Sequence, residues 1–251
     1  AARHEITALL TRPDRPAGRG RKLTAPPAKQ VAERLGIRVL QPERLEPGLD
    51  LDADTAVIAA YGLLVPEAVL AERPWLNVHP SLLPRWRGAA PVERALLAGD
   101  AETGVTIHET VKELDAGPIA AQQAFAIAPE DDAGAVFERA AELAAELLDQ
   151  VLPSPSFSPQ PDEGVTYAEK IGPADRRLDW SAPPVESLNR IRALSPHIGA
   201  RGTAAGKPVI VWRARLADPD SALVEGGLEL LELQPEGGRR MSANDFLRGL
   251  R

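Results

Sequence analysis

Residues 56–60, Ala-Val-Ile-Ala-Ala, are an uninterrupted apolar run of the kind a parallel sheet buries on both faces. Upstream, residues 5–11 read as a short buried strand. Helical spacing at Val31 and Leu35 stops at Gly36, and a strand follows over 37–40. Downstream come the loop Tyr61-Gly62-Leu63-Leu64-Val65-Pro66, a short helix, and a strand ending Leu76-Asn77-Val78-His79. A helix is predicted over 91–98, a half-buried strand over the alternating stretch 104–111, and another strand over 119–125. The clearest helix is 132–151, where Val136, Phe137, Ala140, Leu143, Ala144, Leu147, Leu148 and Val151 make one stripe and Asp131 or Asp132 can cap the start. Strands alternating with helices give an α/β, Rossmann-like and mostly parallel sheet. Residues 12–26 are so punctuated by Pro and Gly that neither strand nor helix is predicted there.

The composition shifts to Pro and Ser at 153–164, which reads as a linker. A helix at about 184–194 then precedes short strands at 208–213, 223–224 and 228–233, a small and mainly β second domain. The expected organisation is therefore 1–152, a linker at 153–164, and 165–251. A length of 251 residues fits one or two domains at roughly 150 residues each.

Composition removes several function classes. The chain has no cysteine, which excludes disulfide scaffolds, thiolate zinc sites, iron–sulfur clusters and a cysteine nucleophile. No apolar run approaches the roughly 18 to 20 residues of a membrane span, and no signal-peptide pattern is present, so a cytoplasmic protein without membrane attachment is expected. A net charge of -7 argues against coating nucleic acid with the whole surface but leaves room for a local basic site. The chain opens Ala1-Ala2-Arg3-His4, and its one methionine is Met241, which suggests a copy of a longer polypeptide.

Asn77 and His79 lie two apart at a strand end, which puts both side chains on one face where open α/β sheets bind ligands. An amide and an imidazole aimed at one point can donate to a developing oxyanion. Asp115, in the turn Leu114-Asp115-Ala116-Gly117-Pro118, either satisfies its own backbone or reaches His79 to raise its basicity and orient the ring. His108 can be imagined joining His79 and Asp115 around a metal, yet no His-x-His or His-x3-His spacing supports one, and no metal is expected. No Gly-x-Ser-x-Gly elbow is present. Arg12, Arg15, Arg19, Arg21, Lys22 and Lys29 stand against one acid, Asp14, on a Pro- and Gly-rich arm suited to phosphate contacts. A second basic cluster, Arg239, Arg240, Arg248 and Arg251, suggests a polyanion held at two places.

The run Asn77-Val78-His79-Pro80-Ser81-Leu82-Leu83-Pro84-Arg85-Trp86-Arg87-Gly88, with Gly104-Val105-Thr106-Ile107 and Leu114-Asp115-Ala116-Gly117, resembles the folate-dependent formyltransferases. Within them, Arg12–Leu23 looks like the inserted loop of the members acting on initiator tRNA. Thr166–Lys170, Leu178–Ser181 and Leu233–Met241 are similar to the C-terminal domain of those members. The resemblance implies a Rossmann-like catalytic domain and a smaller, OB-like β-barrel domain that binds tRNA. It implies 10-formyltetrahydrofolate as formyl donor, the α-amine of initiator methionyl-tRNA as acceptor, and a monomer. Carried over by motif, Asn77, His79 and Asp115 are catalytic. Ser81, Leu82, Leu83 and Pro84 would border the folate with Tyr61, Gly62, Leu63 and Leu64. Arg12, Arg15, Arg19, Arg21, Lys22, Arg239 and Arg240 would meet the tRNA.

Members of the family begin with a strand, a Gly-Thr-Pro turn and a helix that this sequence lacks, so an incomplete copy is expected. The wording His108-Glu109-Thr110 leans toward sugar-nucleotide N-formyltransferases, which use the same donor. A catalytically silent folate- or RNA-binding protein, or a folate-dependent hydrolase releasing formate, are the remaining readings.

Overall fold

In a computed structural model, residues 4–17 and 22–250 are described. Along the chain run β1 (Ala8–Leu10), β2 (Arg15–Ala17), β3 (Lys22–Thr24), α1 (Pro27–Arg34), β4 (Arg38–Leu40), β5 (Ala56–Ala59), α2 (Glu67–Leu70) and β6 (Trp75–His79). Then come β7 (Arg87–Gly88), α3 (Pro91–Ala98), β8 (Glu102–Glu109), β9 (Ile119–Ala126) and α4 (Ala133–Val151). The chain finishes with β10 (Tyr167–Ala168), α5 (Pro184–Leu194), β11 (Ala200–Ala204), β12 (Lys207–Leu216), β13 (Val224–Glu225), β14 (Leu228–Pro235), β15 (Met241–Ser242) and α6 (Ala243–Arg248).

Proline and glycine set many of the helix boundaries. Pro27, Pro91 and Pro184 stand in the first turn of α1, α3 and α5, where the missing N–H costs nothing. Gly99 closes α3 in the left-handed region at φ 73°, and a Cβ there would meet Asn189 Nδ2 at 2.9 Å. Of the two acids offered as caps for α4, Asp132 is the one that accepts from the Ala135 N–H, at 3.0 Å. Phe137, placed on the buried stripe by spacing, is exposed.

The packing divides into two compact units. The first comprises Ala1–His79, Ile107–Ala121 and Glu146–Gln160, and the second Pro80–Thr106, Gln122–Ala145 and Pro161–Arg251. In the first, β1 pairs parallel with β4 and β5 pairs parallel with β6; β5 and β6 belong to a sheet of order β5-β6-β8-β9, of whose last two strands this unit holds only residues 107–109 and 119–121. Its core gathers Leu45, Leu51, Val65, Val69 and Trp75, with the Trp75 indole N–H donating to the Val69 carbonyl at 3.1 Å.

Four local expectations change. The strand read over 5–11 is confined to Ala8–Leu10 and is only half buried. The apolar run at β5 is one-sided, because Ala56 and Ile58 pack on the core while Val57, Ala59 and Ala60 are exposed. β8 is buried throughout Thr103–His108 rather than on alternate residues, so both of its faces are covered there. The punctuated arm does contain strands, since β2 and β3 pair antiparallel as a two-stranded ribbon with Pro16 opposite Leu23. An isolated ribbon offers the edge position that proline tolerates.

In the second unit the antiparallel order β11-β12-β14-β13, with β15 on β14, forms a curled half-barrel. The β12–β14 register slips around Arg213, and such bulges bend a strand and increase its twist. Ile191 and Leu194 of α5 pack with Val209, Val211, Leu228, Leu230, Leu233 and Phe246 as its core. Among the described residues, no helix is long and apolar enough to cross a membrane.

Candidate active site

The end of β6 presents Asn77 and His79 on one face, as strand alternation requires. Both turn toward Asp115, in the loop between β8 and β9. Asn77 Nδ2 donates to Asp115 Oδ1 at 3.2 Å, and His79 Nδ1 stands 3.7 Å from Asp115 Oδ2. Asp115 thus reaches the end of β6, whatever it does for its own turn.

A fourth side chain joins them. His108, 1% exposed near the end of β8, places Nε2 3.1 Å from Asn77 Nδ2 and 3.6 Å from Asp115 Oδ1. Its Nδ1 lies 2.8 Å from the Glu109 carbonyl oxygen, which can only accept, so Nδ1 carries the proton. In the neutral ring Nε2 is then the acceptor, and it receives one amide hydrogen of Asn77 while Asp115 receives the other. The two imidazoles meet edge-on, with centroids 6.2 Å apart at 74°. Sequence spacing offered His108 only as a metal ligand. Its signal as a site residue was its place on a strand that becomes the neighbour of β6, which a linear reading does not show. Among the described residues, no three His, Asp or Glu side chains are arranged to hold a metal ion.

The loop that carries Asp115 is tightly built. Asp115 itself lies in the left-handed region at φ 46°, which is uncommon for a residue with a Cβ. A Cβ on Gly117 would collide with the Glu109 carbonyl oxygen, so only glycine fits there. The Glu109 N–H bonds the Pro118 carbonyl at 2.9 Å, closing the loop at its base.

The segments read as folate borders divide by role. In the first unit, Leu64 is 85% exposed while the Tyr61 hydroxyl is buried with no hydrogen-bond partner among the described residues. Burial raises the Tyr61 phenol above its ordinary pKa, with the nearby Arg12 charge opposing. Arg12, read as a phosphate contact, spends its guanidinium on this loop by donating to the carbonyls of Tyr61 and Gly62. In the second unit, Ser81 is fully buried with its hydroxyl donating to the Arg85 carbonyl at 2.7 Å, and the Leu83 side chain is 3% exposed. Ser81 and Leu83 therefore shape the turn, while Leu82 and Pro84 are half buried. The Leu83–Pro84 peptide bond is cis.

Among the basic residues, Arg15 and Lys22 are exposed on the ribbon, whereas Arg19 and Arg21 lie outside the described residues. Asp14 is held by Gln41 and Lys29, which keep its carboxyl below the usual range. In the second unit, Arg240 lies 3.8 Å over the Trp212 ring and donates to the Pro196 carbonyl, while Arg239 is exposed. An open depression of about 350 Å³, also in that unit, is lined by Trp86, Arg94, Leu97, Ala98, Tyr167 and Glu169, of which Trp86, Tyr167 and Glu169 lie in stretches quoted for the family resemblance.

Comparison with known proteins adds a family. Residues 1–152 match the formyl transferase family and residues 170–227 match the formyl transferase C-terminal domain. Methionyl-tRNA formyltransferase of Paracoccus denitrificans is 45% identical over an alignment spanning 100% of this chain and 91% of the relative. The methionyl-tRNA formyltransferase of Clostridium thermocellum superposes with a TM-score of 0.63 at 13% identity, covering 81% of this chain and 92% of that one, a likeness of fold. A likely sugar N-formyltransferase from Mycobacterium tuberculosis superposes with a TM-score of 0.53 at 29% identity, covering 67% and 81%.

Proposed function

The chain belongs to the methionyl-tRNA formyltransferase family, and from that premise we propose that it moves a formyl group from 10-formyltetrahydrofolate to the α-amine of initiator methionyl-tRNA. The observation that carries the reading is the convergence of Asn77, His79 and His108 on one carboxylate, that of Asp115, at 3.2 to 3.7 Å. An aminoacyl α-amine with an ordinary pKa of about 7.7–8.0 is partly neutral near pH 7 and can attack the formyl carbon directly. The C–N bond to the amine forms, and the formyl oxygen becomes an oxyanion. Protonated His79 donates to that oxyanion, with Asp115 beside it keeping the imidazolium charged. Asn77 adds a second donor when the N–H that it now directs at Asp115 turns to the oxyanion. The intermediate then collapses, breaking the bond to the folate nitrogen, which takes up the proton lost by the amine by way of water and Asp115. No covalent enzyme intermediate is needed.

The folate would meet the Tyr61–Leu64 loop, in the unit that also carries Asn77, His79 and Asp115. Arg15, Arg19, Arg21, Lys22 and Arg239 would meet the tRNA backbone. The catalytic domain is taken as 1–152 and the tRNA-binding domain as 165–251, in a cytoplasmic monomer. An amino-sugar nucleotide is the competing acceptor, favoured by the sugar-enzyme wording around His108.

The test is a formylation assay with the purified chain, 10-formyltetrahydrofolate, and either methionylated initiator tRNA or an amino-sugar nucleotide. Formyl-methionyl-tRNA as the product supports the reading. Turnover with the sugar alone, or formate released without any acceptor, overturns it.

A further inference from the structure

Residues 153–164 have the composition of a passive linker, and eleven of these twelve are exposed. Gln160 is the exception. Its half-buried side chain folds inward, and its single Nε2 donates to the carbonyl of Asp115 at 2.8 Å and to the carbonyl of Gly117 at 2.8 Å. Two residues earlier Ser158 pairs with Ile119 at the start of β9, with N–H to carbonyl distances of 2.7 and 2.9 Å. The segment thus runs along the foot of the Asp115 loop and is tied to it at two places. The loop has reason to be tied, because it holds Asp115 in left-handed backbone and Gly117 against the Glu109 carbonyl.

We propose that Gln160 is a positioning residue: its amide clamps the carbonyls of Asp115 and Gly117 and so aims the Asp115 carboxylate at His79 and Asn77. The role rests on the proposed formyl transfer. The chemistry asks for a donor at the tip of residue 160, since both partners are carbonyl oxygens. A side chain of equal length with no donor releases the loop, and one that keeps a donor holds it.

Three variants and a double substitution test this in the full chain. Gln160→Met is expected to lower kcat about tenfold, with KM for the folate donor within about twofold, because the reacting groups and not the binding surface lose their alignment. Gln160→Lys, which keeps N–H donors, retains turnover within about threefold of the parent. Combined with Asp115→Asn, Gln160→Met costs little beyond Asp115→Asn alone, as expected of a residue acting through another. Hydrogen exchange across 112–118 is faster in Gln160→Met than in the parent or Gln160→Lys, a readout that needs no substrate and so decides the clamp whichever acceptor the enzyme uses.

Full turnover in Gln160→Met, losses that multiply in the double variant, or unchanged exchange would overturn the proposal. Should Gln160→Met not fold, Gln160→Glu, which sets an acceptor against two acceptors, replaces it with the same expectations.

Discussion

Nδ1 of His79 stands 3.7 Å from Oδ2 of Asp115, with side chains only 5% and 12% exposed. Two groups shielded from water to this degree interact more strongly than the same pair would on the surface. Asp115 also accepts from Asn77 at 3.2 Å, so removing His79 leaves the carboxylate held but without the ring beside it.

His79→Ala is accordingly expected to lower kcat about 10²–10³-fold, the range seen when one oxyanion donor is lost, with folate affinity largely kept. Asp115→Asn keeps the shape and loses the charge, and should lower kcat by a similar order. Steady-state kinetics against both substrates, with fluorescence titration of the folate, check the pair.

His108→Met removes the acceptor for one Asn77 hydrogen while filling most of the space. A buried donor left unsatisfied costs about 1–3 kcal/mol and the half-buried Asn77 should lose less, so urea unfolding should show a slightly lowered midpoint with unchanged slope. Retention of full stability would mean that Asn77 finds another partner.

Arg12 and Arg15, three positions apart, should separate in function. Arg12→Ala frees the carbonyls of Tyr61 and Gly62 and is expected to raise KM for the folate donor. Arg15→Ala or Lys22→Ala should instead weaken tRNA use, each lowering the slope of log affinity against log salt by about 0.7–0.9. Initial rates over a salt series distinguish the two outcomes.

Asp175 accepts from the Gly172 N–H at 2.8 Å and pairs with Arg94 at 2.9 Å, and these contacts hold its carboxyl below the ordinary range. A carboxyl with a lower pKa folded than unfolded contributes stability above the unfolded value of about 3.9, and loses it as pH falls through the folded value. Asp175→Asn should therefore lower Tm near neutral pH, and the gap to the parent should close in acid. Thermal melts at several pH values check the sign.

Much of this architecture was legible because local chemistry dictated it. Period two put Asn77 and His79 on one face, and α5 begins where Pro184 stands. What escaped the sequence depends on neighbours far along the chain. Val57 and Ala59 are as apolar as Ala56 and Ile58, but only the latter two meet a core. Ser81 looked like a ligand contact, and its hydroxyl is taken by the Arg85 carbonyl. Arg12 carries the charge of a phosphate contact and is occupied 49 residues away. His108 reaches Asn77 across 31 residues, and Gln160 reaches Asp115 across 45, separations at which spacing says nothing.

Asp14 is the lone acid of the basic arm, and Lys29 and Gln41 hold it at the foot of the ribbon. The arm's only counter-ion is thereby consumed at its root, and residues 15–24 carry cationic side chains with no anion of their own. On a chain whose net charge is -7, this segment offers an approaching polyanion a local run of positive charge against an acidic whole. Orientation is thus selected during diffusion, before any base or ribose is touched, and raising ionic strength should erode the rate of encounter sooner than the fidelity of recognition once the two have met.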